Sequence, residues 1–272
     1  MSRPLLGPVL KWAGGKGQLL PWILARLPDE METYYEPFVG GGAVFFALAS
    51  RQRFKRAVLG DRNPNLVAVY EALKKEPKRV IQRLKRYQEK HCEEVYYKVR
   101  EREPSSLVEI AARVIYLNKT GFNGLYRVNR SGEFNVPFGR YVNPRILNEP
   151  RLLAVAETLA KVEIVHADFE EVCRKAKQGD AVYLDPPYLP VSSTSSFAEY
   201  HAEPFGLAEH KRLARVFAQL SKRGVCAVLS NSDTPDTRAL FSGHHLETVA
   251  ARRSINSNHK RRGPVDEILV ST

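Results

Sequence analysis

Cysteine is scarce in this 272-residue chain: Cys92, Cys173 and Cys226 are the only three. They lie far apart and show no metal-ligand spacing, so neither a disulfide framework nor a zinc site is expected, and a reducing, cytoplasmic compartment is. The seven histidines form no ligand pattern either, and no metal is expected. No apolar run reaches the roughly 18 residues that suggest a membrane span. No signal peptide opens the chain, and no membrane partner is expected. Internal repeats and low-complexity tracts are also lacking. Acidic residues are outnumbered, 30 Asp+Glu against 42 Lys+Arg, giving a net charge of +12. An excess of that size favours a polyanionic partner such as nucleic acid; a soluble protein with a basic surface is the plainer alternative. With 43% hydrophobic residues, the chain can bury one large domain, or one domain with a sizeable insertion.

The pattern along the chain is strand and helix in alternation. Tyr34–Phe38 reads as a strand, Gly40-Gly41-Gly42 as a turn and Ala43–Ala49 as a buried helix. Ala57–Asp61 is a second strand ending on an acid, and Asn63-Pro64-Asn65 suits the start of a helix running through Leu73. From Lys74 to about Arg113 the chain turns charged and helical. Residues 116–141 then interleave aromatic and basic side chains, and Asn129-Arg130-Ser131-Gly132 suggests a hairpin flanked by 124–128 and 133–136. Alternation resumes with strands at Val162–His166, Ala181–Leu184, Val225–Ser230 and Asp266–Val270, and a helix over Leu207–Ser221. This order implies a mostly parallel sheet with helices on both faces, interrupted by an inserted middle section.

Asp185-Pro186-Pro187-Tyr188 follows the apolar strand Ala181–Leu184. A carboxylate, two stiff prolines and a ring thus sit at a strand's C-terminal end, the edge where open α/β sheets bind ligands. The group suits gripping a planar base through its amino nitrogen; an ordinary Asp-Pro-Pro turn fits as well. The triple glycine between strand and helix lets backbone approach a ligand, and Asp61, about twenty residues on, can accept from ribose hydroxyls. Together they point to an adenosine-containing cofactor, without choosing between a nicotinamide dinucleotide and S-adenosylmethionine. Near the N-terminus, Lys11-Trp12-Ala13-Gly14-Gly15-Lys16 precedes a helix expected from Gln18 to Leu27. It reads either as a loop closing over the cofactor through Trp12 and Lys16, or as a basic terminus anchored by one Trp.

These motifs stand in a recognisable order. The Lys11–Lys16 run, Glu36-Pro37-Phe38-Val39-Gly40-Gly41-Gly42, Asp61, Phe122–Arg127, Phe134–Tyr141, Asp168-Phe169 and Asp185–Tyr188 resemble the Dam-type, alpha-group (DpnM-like) DNA adenine-N6 methyltransferases over almost the whole chain. The resemblance implies a Rossmann-like α/β sheet that binds S-adenosylmethionine (1–68 and 147–272). It also implies an inserted, mainly helical target-recognition domain (69–146) carrying a β-hairpin. In the cofactor pocket it places Trp12, Ala13, Gly14, Lys16, Glu36, Pro37, Phe38, Gly40, Gly41, Gly42, Asp61, Arg62, Asp168, Phe169 and Asp185. Asp61 would hold the ribose and Asp168 the adenine amine of the cofactor. Asp185, Pro186, Pro187 and Tyr188 would hold the flipped target adenine. On DNA, Arg127 would read a guanine, Leu125 and Pro137 would touch thymine methyls, and Phe122 and Asn123 would enter the stack. Lys11, Asn135, Arg140, Lys260 and Arg261 complete the DNA set. Many relatives carry Tyr where Phe122 stands.

The implied activity is methyl transfer to adenine N6 in duplex DNA, within GATC, by a monomer that has a cognate restriction endonuclease as a possible partner. The residues suit it. An adenine amine is a poor nucleophile, and two fixed acceptors, Asp185 and the Pro187 carbonyl, favour a directional lone pair. An ionised Asp185 then stabilises the charge that develops on nitrogen. Arg127 has the fork that matches guanine O6 and N7; a solvated arginine is the plain alternative. Residues 252–263 read as a basic loop that meets phosphates, and Ser230-Asn231-Ser232 as a strand end near the pocket. Rival readings are a methyltransferase acting on protein glutamine or RNA, a catalytically silent DNA-binding module, and a dinucleotide oxidoreductase. The last lacks its G-x-G-x-x-G.

Overall fold

The computed structural model describes residues 6–12, 14–129, 131–189, 205–252 and 264–272. Ala13, Lys260 and Arg261, the tip residue Arg130 of the expected hairpin, and the expected basic loop beyond Arg252 therefore lie outside the described residues.

Short buried runs become the strands. β1 (Met31–Glu36), β2 (Phe54–Asp61), β3 (Val162–His166), β4 (Ala181–Leu184) and β5 (Cys226–Ser232) pair in parallel. β7 (Pro264–Ser271) runs antiparallel between β5 and β6 (His245–Arg252). The order is β3-β2-β1-β4-β5-β7-β6. Direction of travel reverses between β1 and β4, so the loops leaving these two strands diverge and open a crevice at their C-terminal ends. β4 is buried at every position, which is why it prints as an unbroken apolar run. Its alternate side chains feed two cores. Val182 and Leu184 pack with α8 (Phe169–Cys173) and α9 (Leu207–Lys222); Ala181 and Tyr183 join the other face with α2 (Ala43–Ser50) and α3 (Pro64–Lys75).

The charged stretch after Lys74 folds as α4 (Pro77–Glu89), α5 (Glu93–Arg100) and α6 (Leu107–Thr120). α4 buries Val80, Ile81, Leu84 and Tyr87, one stripe at helical spacing under a basic outer face. α3 packs on β2 and β3 and also on α6, so the sheet's core continues into these helices. The expected boundary at 69 falls inside that single helix. Asn63 starts α3, its side chain accepting from the Asn65 and Leu66 amides.

Several elements differ from expectation. α1 spans Leu20–Arg26 only, and the first strand starts earlier and stops at Glu36. The region of the expected hairpin doubles back through isolated antiparallel bridges, Val128 with Phe134 and Gly121 with Phe138. Backbone bonds join the two arms, the Asn129 amide to the Glu133 carbonyl at 2.9 Å and the Asn135 amide to the Arg127 carbonyl at 3.0 Å, so the expected hairpin is present among the described residues as short bridges, and Pro137 contributes no N–H to a longer ladder. β6, α7 (Glu149–Leu159) and α10 (Pro235–Leu240) were not anticipated; β6 lies beside a basic stretch that masked it. Among the described residues no helix is long and apolar enough to cross a membrane.

Candidate active site

The chain leaves β4 at Leu184 and presents Asp185 in the crevice. Lys16 Nζ lies 2.7 Å from Asp185 Oδ1, donates to the Gly14 carbonyl at 2.6 Å and sits 4.6 Å above the Tyr188 ring. Ser230, near the end of β5, donates its hydroxyl to the same Oδ1 at 3.0 Å and pairs with the Tyr183 hydroxyl at 2.8 Å. Among the described residues Oδ2 of Asp185 takes no hydrogen bond. Burial pushes the Asp185 carboxyl up, and the Lys16 ammonium and the two hydrogen bonds pull it back. Pro186 is buried and Pro187 half-buried, and neither offers an N–H that could compete for the carboxylate. The Tyr188 hydroxyl donates to Glu267 Oε2 at 2.7 Å, and the Leu189 amide to Asn231 Oδ1 at 3.2 Å.

Two more carboxyls lie at neighbouring strand ends. Glu36 is 2% exposed and accepts from the Tyr34 hydroxyl at 2.8 Å; burial, with the Asp185 charge nearby, raises it from 4.5 to about 8. Asp61 accepts from the Gly40 amide at 3.3 Å and the Asn63 amide at 2.9 Å, yet burial still raises it to about 6. Lys16 is the one buried lysine among the described residues. Glu36 keeps its proton at neutral pH, so Asp61 and Asp185 set against the Lys16 ammonium leave a small negative excess, with Glu36 able to ionise beside a cationic ligand.

The Glu36 shift has a testable sign. Between 4.5 and about 8 the folded protein keeps a proton that the unfolded chain gives up. The stability it contributes is present at low pH, falls as pH rises through that window, and levels off above it. Glu36→Gln should therefore gain on the parent chain by on the order of 1.4 kcal/mol per pH unit within the window. Urea unfolding from pH 5 to 9 checks this; parallel curves for the two proteins would exclude it.

The glycine turn is shaped by its neighbours. Gly40 and Gly42 have φ of +48° and +73°, and a Cβ would stand 2.9 Å from Trp12 Cδ1 at the first and 2.9 Å from the Tyr70 hydroxyl at the second. Close approach by Trp12 and Tyr70 thus requires glycine there; a Cβ on Gly41 would likewise crowd Leu10 and Trp12. Trp12 also packs on Tyr126, with ring centroids 5.0 Å apart. Pro37 is buried in the turn, and Phe38 stacks on Phe169 at 5.5 Å.

Asp168, expected as an acceptor for a ligand amine, is already engaged. It caps α8, accepting from the Glu170 amide, and takes both Arg212 amines at 2.8 and 2.7 Å. Burial works to raise this carboxyl, but the Arg212 bonds hold it below the ordinary range. Arg212 itself lies 4.3 Å over the Phe169 ring. Arg62 is an exposed residue, and its carbonyl lies 3.0 Å from His166 Nε2.

The candidate DNA residues gather around a junction. Asn118, 2% exposed near the end of α6, accepts from the Lys11 amide at 2.8 Å and donates to the Lys11 and Gly124 carbonyls at 2.8 and 2.9 Å. It ties the N-terminal segment to the Phe122-Asn123-Gly124 turn, where Asn123 and Gly124 take positive φ. Phe122 is left 50% exposed. Asn123 and the Lys11 side chain are exposed and Leu125 is half-buried. Arg127 and Asn135 meet: Nε donates to Asn135 Oδ1 at 2.7 Å and Nη2 to its carbonyl at 3.1 Å. Pro137 and Arg140 are exposed, Arg140 at φ +52°. Asn118, Arg212 and Glu267 escaped sequence reasoning. The only signal was a polar residue within the apolar run of α6 and an acid entering the last apolar strand.

Known proteins give a consistent comparison. The family model described as D12 class N6 adenine-specific DNA methyltransferase matches residues 12–255. The type II methyltransferase M1.LlaDCHI of Lactococcus lactis subsp. cremoris is 39% identical over 98% of this chain and 95% of its own. The type II methyltransferase M.MjaIII of Methanocaldococcus jannaschii is 41% identical over 97% and 98%. The DNA adenine methylase of Escherichia coli K12 is 39% identical over 96% and 93%.

Proposed function

The chain belongs to the D12 class N6 adenine-specific DNA methyltransferases, and we propose that it moves a methyl group from S-adenosylmethionine to N6 of an adenine flipped out of a GATC site. The observation that carries this reading is the Asp185 carboxylate with Oδ2 open, beside a nitrogen cation seated over an aromatic face. That is the environment a methylated amine needs as its charge develops.

Glu36, Asp61 and the Gly40–Gly42 turn, with Phe38 beside them, would hold the cofactor; the surplus of buried carboxyls fits its sulfonium and ammonium. When bound, S-adenosylmethionine supplies an electrophilic methyl group. Asp185 accepts one N–H of the target amine and the Pro187 carbonyl the other, which turns the nitrogen lone pair toward the incoming carbon. The carboxylate stays ionised and stabilises the positive nitrogen, and the proton leaves to water after transfer. Tyr188 stacks on the extruded base, a contact worth about 1–3 kcal/mol. The target is stacked and paired in a duplex, so it must be flipped, as for other methyltransferases.

Residues 69–146 would form the recognition domain. The bare Phe122 ring and Asn123 suit filling the vacated stack. Arg127, steadied by Asn135, has the planar fork for guanine. GATC rests on the likeness of these residues to those of the Dam-type enzymes; a cognate endonuclease rests on the type II names of two relatives.

The test is transfer from methyl-labelled S-adenosylmethionine to duplexes that contain GATC or a scrambled site, read as N6-methyladenine after digestion. Label in the GATC duplex alone is expected. No label in any DNA would overturn the activity, and equal label in both duplexes would overturn the site.

A further inference from the structure

The ring of Tyr188 is anchored at its far end by a residue of β7, two strands from β4 in the sheet. Its hydroxyl meets Glu267 Oε2 at 2.7 Å, across 79 positions of sequence. We propose that Glu267 is a positioning residue that sets the plane of the Tyr188 ring against the target base. The inference rests on the methyl-transfer reading above and extends it to a residue outside the Asp185–Tyr188 motif.

Three observations carry it. First, Pro186 and Pro187 fix the backbone leading into Tyr188, and the amide after it is held by Asn231. The freedom left to this residue is rotation of its own side chain, and a bond at the ring's distal tip removes that freedom. Second, the anchor is rigid. Glu267 pairs with Ser232 of β5 on one side and with Val249 of β6 on the other, and the residues that follow it, Ile268, Leu269 and Val270, are fully buried. A carboxylate on a strand flanked on both sides is fixed more firmly than one on a loop. Third, the bond is well formed: at 2.7 Å it has the usual length of an O–H···O hydrogen bond. Lys16 lies 4.6 Å from the centroid of the same ring and 2.7 Å from Asp185 Oδ1, so the ring that Glu267 holds stands beside the carboxylate.

Misplacing a stacking platform by an ångström can cost about a hundredfold in rate; a ring freed at one end only should cost about tenfold. The experiment measures single-turnover formation of N6-methyladenine, and the fluorescence of 2-aminopurine placed at the target position, for the parent chain and for E267A, E267Q, Y188F and the E267A/Y188F double variant. E267A should slow transfer about tenfold and brighten 2-aminopurine, because the flipped probe loses its quenching stack. E267Q keeps an oxygen that can accept and should recover most of the lost rate. Y188F should match E267A, and the double variant should lose nothing further. A merely structural latch would lower the unfolding temperature and leave the probe signal unchanged.

An E267A or Y188F protein with parental rate and probe signal overturns the proposal, as does full additivity in the double variant. If E267A does not fold, Y188F and E267Q decide on the same criteria. Absence of N6-methyladenine from the parent chain would instead overturn the activity itself.

Discussion

Asp185→Ala loses methyl transfer by about a hundredfold or more and still binds duplex DNA. In the proposed reaction the carboxylate would offer Oδ2 to the target amine, while Oδ1 is taken by Lys16 and Ser230. Alanine removes both the acceptor and the negative charge that faces the developing cation. Asparagine at the same position keeps an acceptor but no charge, so its rate should fall between the two, which separates orientation from electrostatics. The substitution also strands Lys16, whose side chain is only 6% exposed. Breaking a fully buried pair costs about 3–5 kcal/mol. With 20% of the Asp185 side chain exposed, a fraction of that should appear as lost stability. Replacing Lys16 by Met in the Asp185→Ala background should restore stability without restoring rate. Single-turnover kinetics beside chemical unfolding of the parent and the three variants provides the check, and near-parental transfer by Asp185→Ala would refute the role.

Asn118→Ala destabilises the protein by about 3 kcal/mol, since one side chain satisfies three backbone groups of two segments and each buried group left unpaired costs about 1–3 kcal/mol. The loss should extend to DNA. Lys11 and the Phe122–Gly124 turn are held together through this amide, and a Cβ on Gly124 would lie 2.8 Å from Lys11 Cδ, so the two segments fit closely. Freed of Asn118, they should move independently and bind duplex more weakly. Asn118→Asp retains the acceptor for the Lys11 amide and loses both donors, so it should fare no better than alanine. Denaturant unfolding and duplex titration measure the two effects; an unfolding midpoint equal to the parent's would show that the junction does not depend on Asn118.

What sequence could reveal follows from the range of the interactions involved. The span of β4 and the placement of Asp185 after it were legible, because a central parallel strand is buried on both faces and prints as an uninterrupted apolar run. The glycine turn was legible as a motif. Its reason was not: Trp12 and Tyr70 press on it from remote positions. Asp168 was read as an acceptor for the cofactor's amine, and nothing local indicates that Arg212, 44 residues away, also pairs with it. The middle section was read correctly as helical from its charge pattern. The turn signal at 129–132 was legible too: the Asn129 amide reaches the Glu133 carbonyl and the Asn135 amide the Arg127 carbonyl across it, though how short the paired stretch would be was not. Glu267 stayed invisible for the same reason as Arg212, an ordinary residue given significance by a partner far along the chain.

The place of β7 bears on how the molecule is made. It follows β6 in sequence yet lies between β5 and β6. A growing chain can therefore assemble the five parallel strands first, while β6 waits without a neighbour until residues 264–271 have left the ribosome. Glu267 arrives with them. The half of the crevice built on Gly40, Asp61 and Asp185 is complete long before the ring of Tyr188 is pinned. A nascent polypeptide can thus build most of its sheet before β7 joins it, and under the role proposed for Glu267 the Tyr188 ring is set only when that strand is in place.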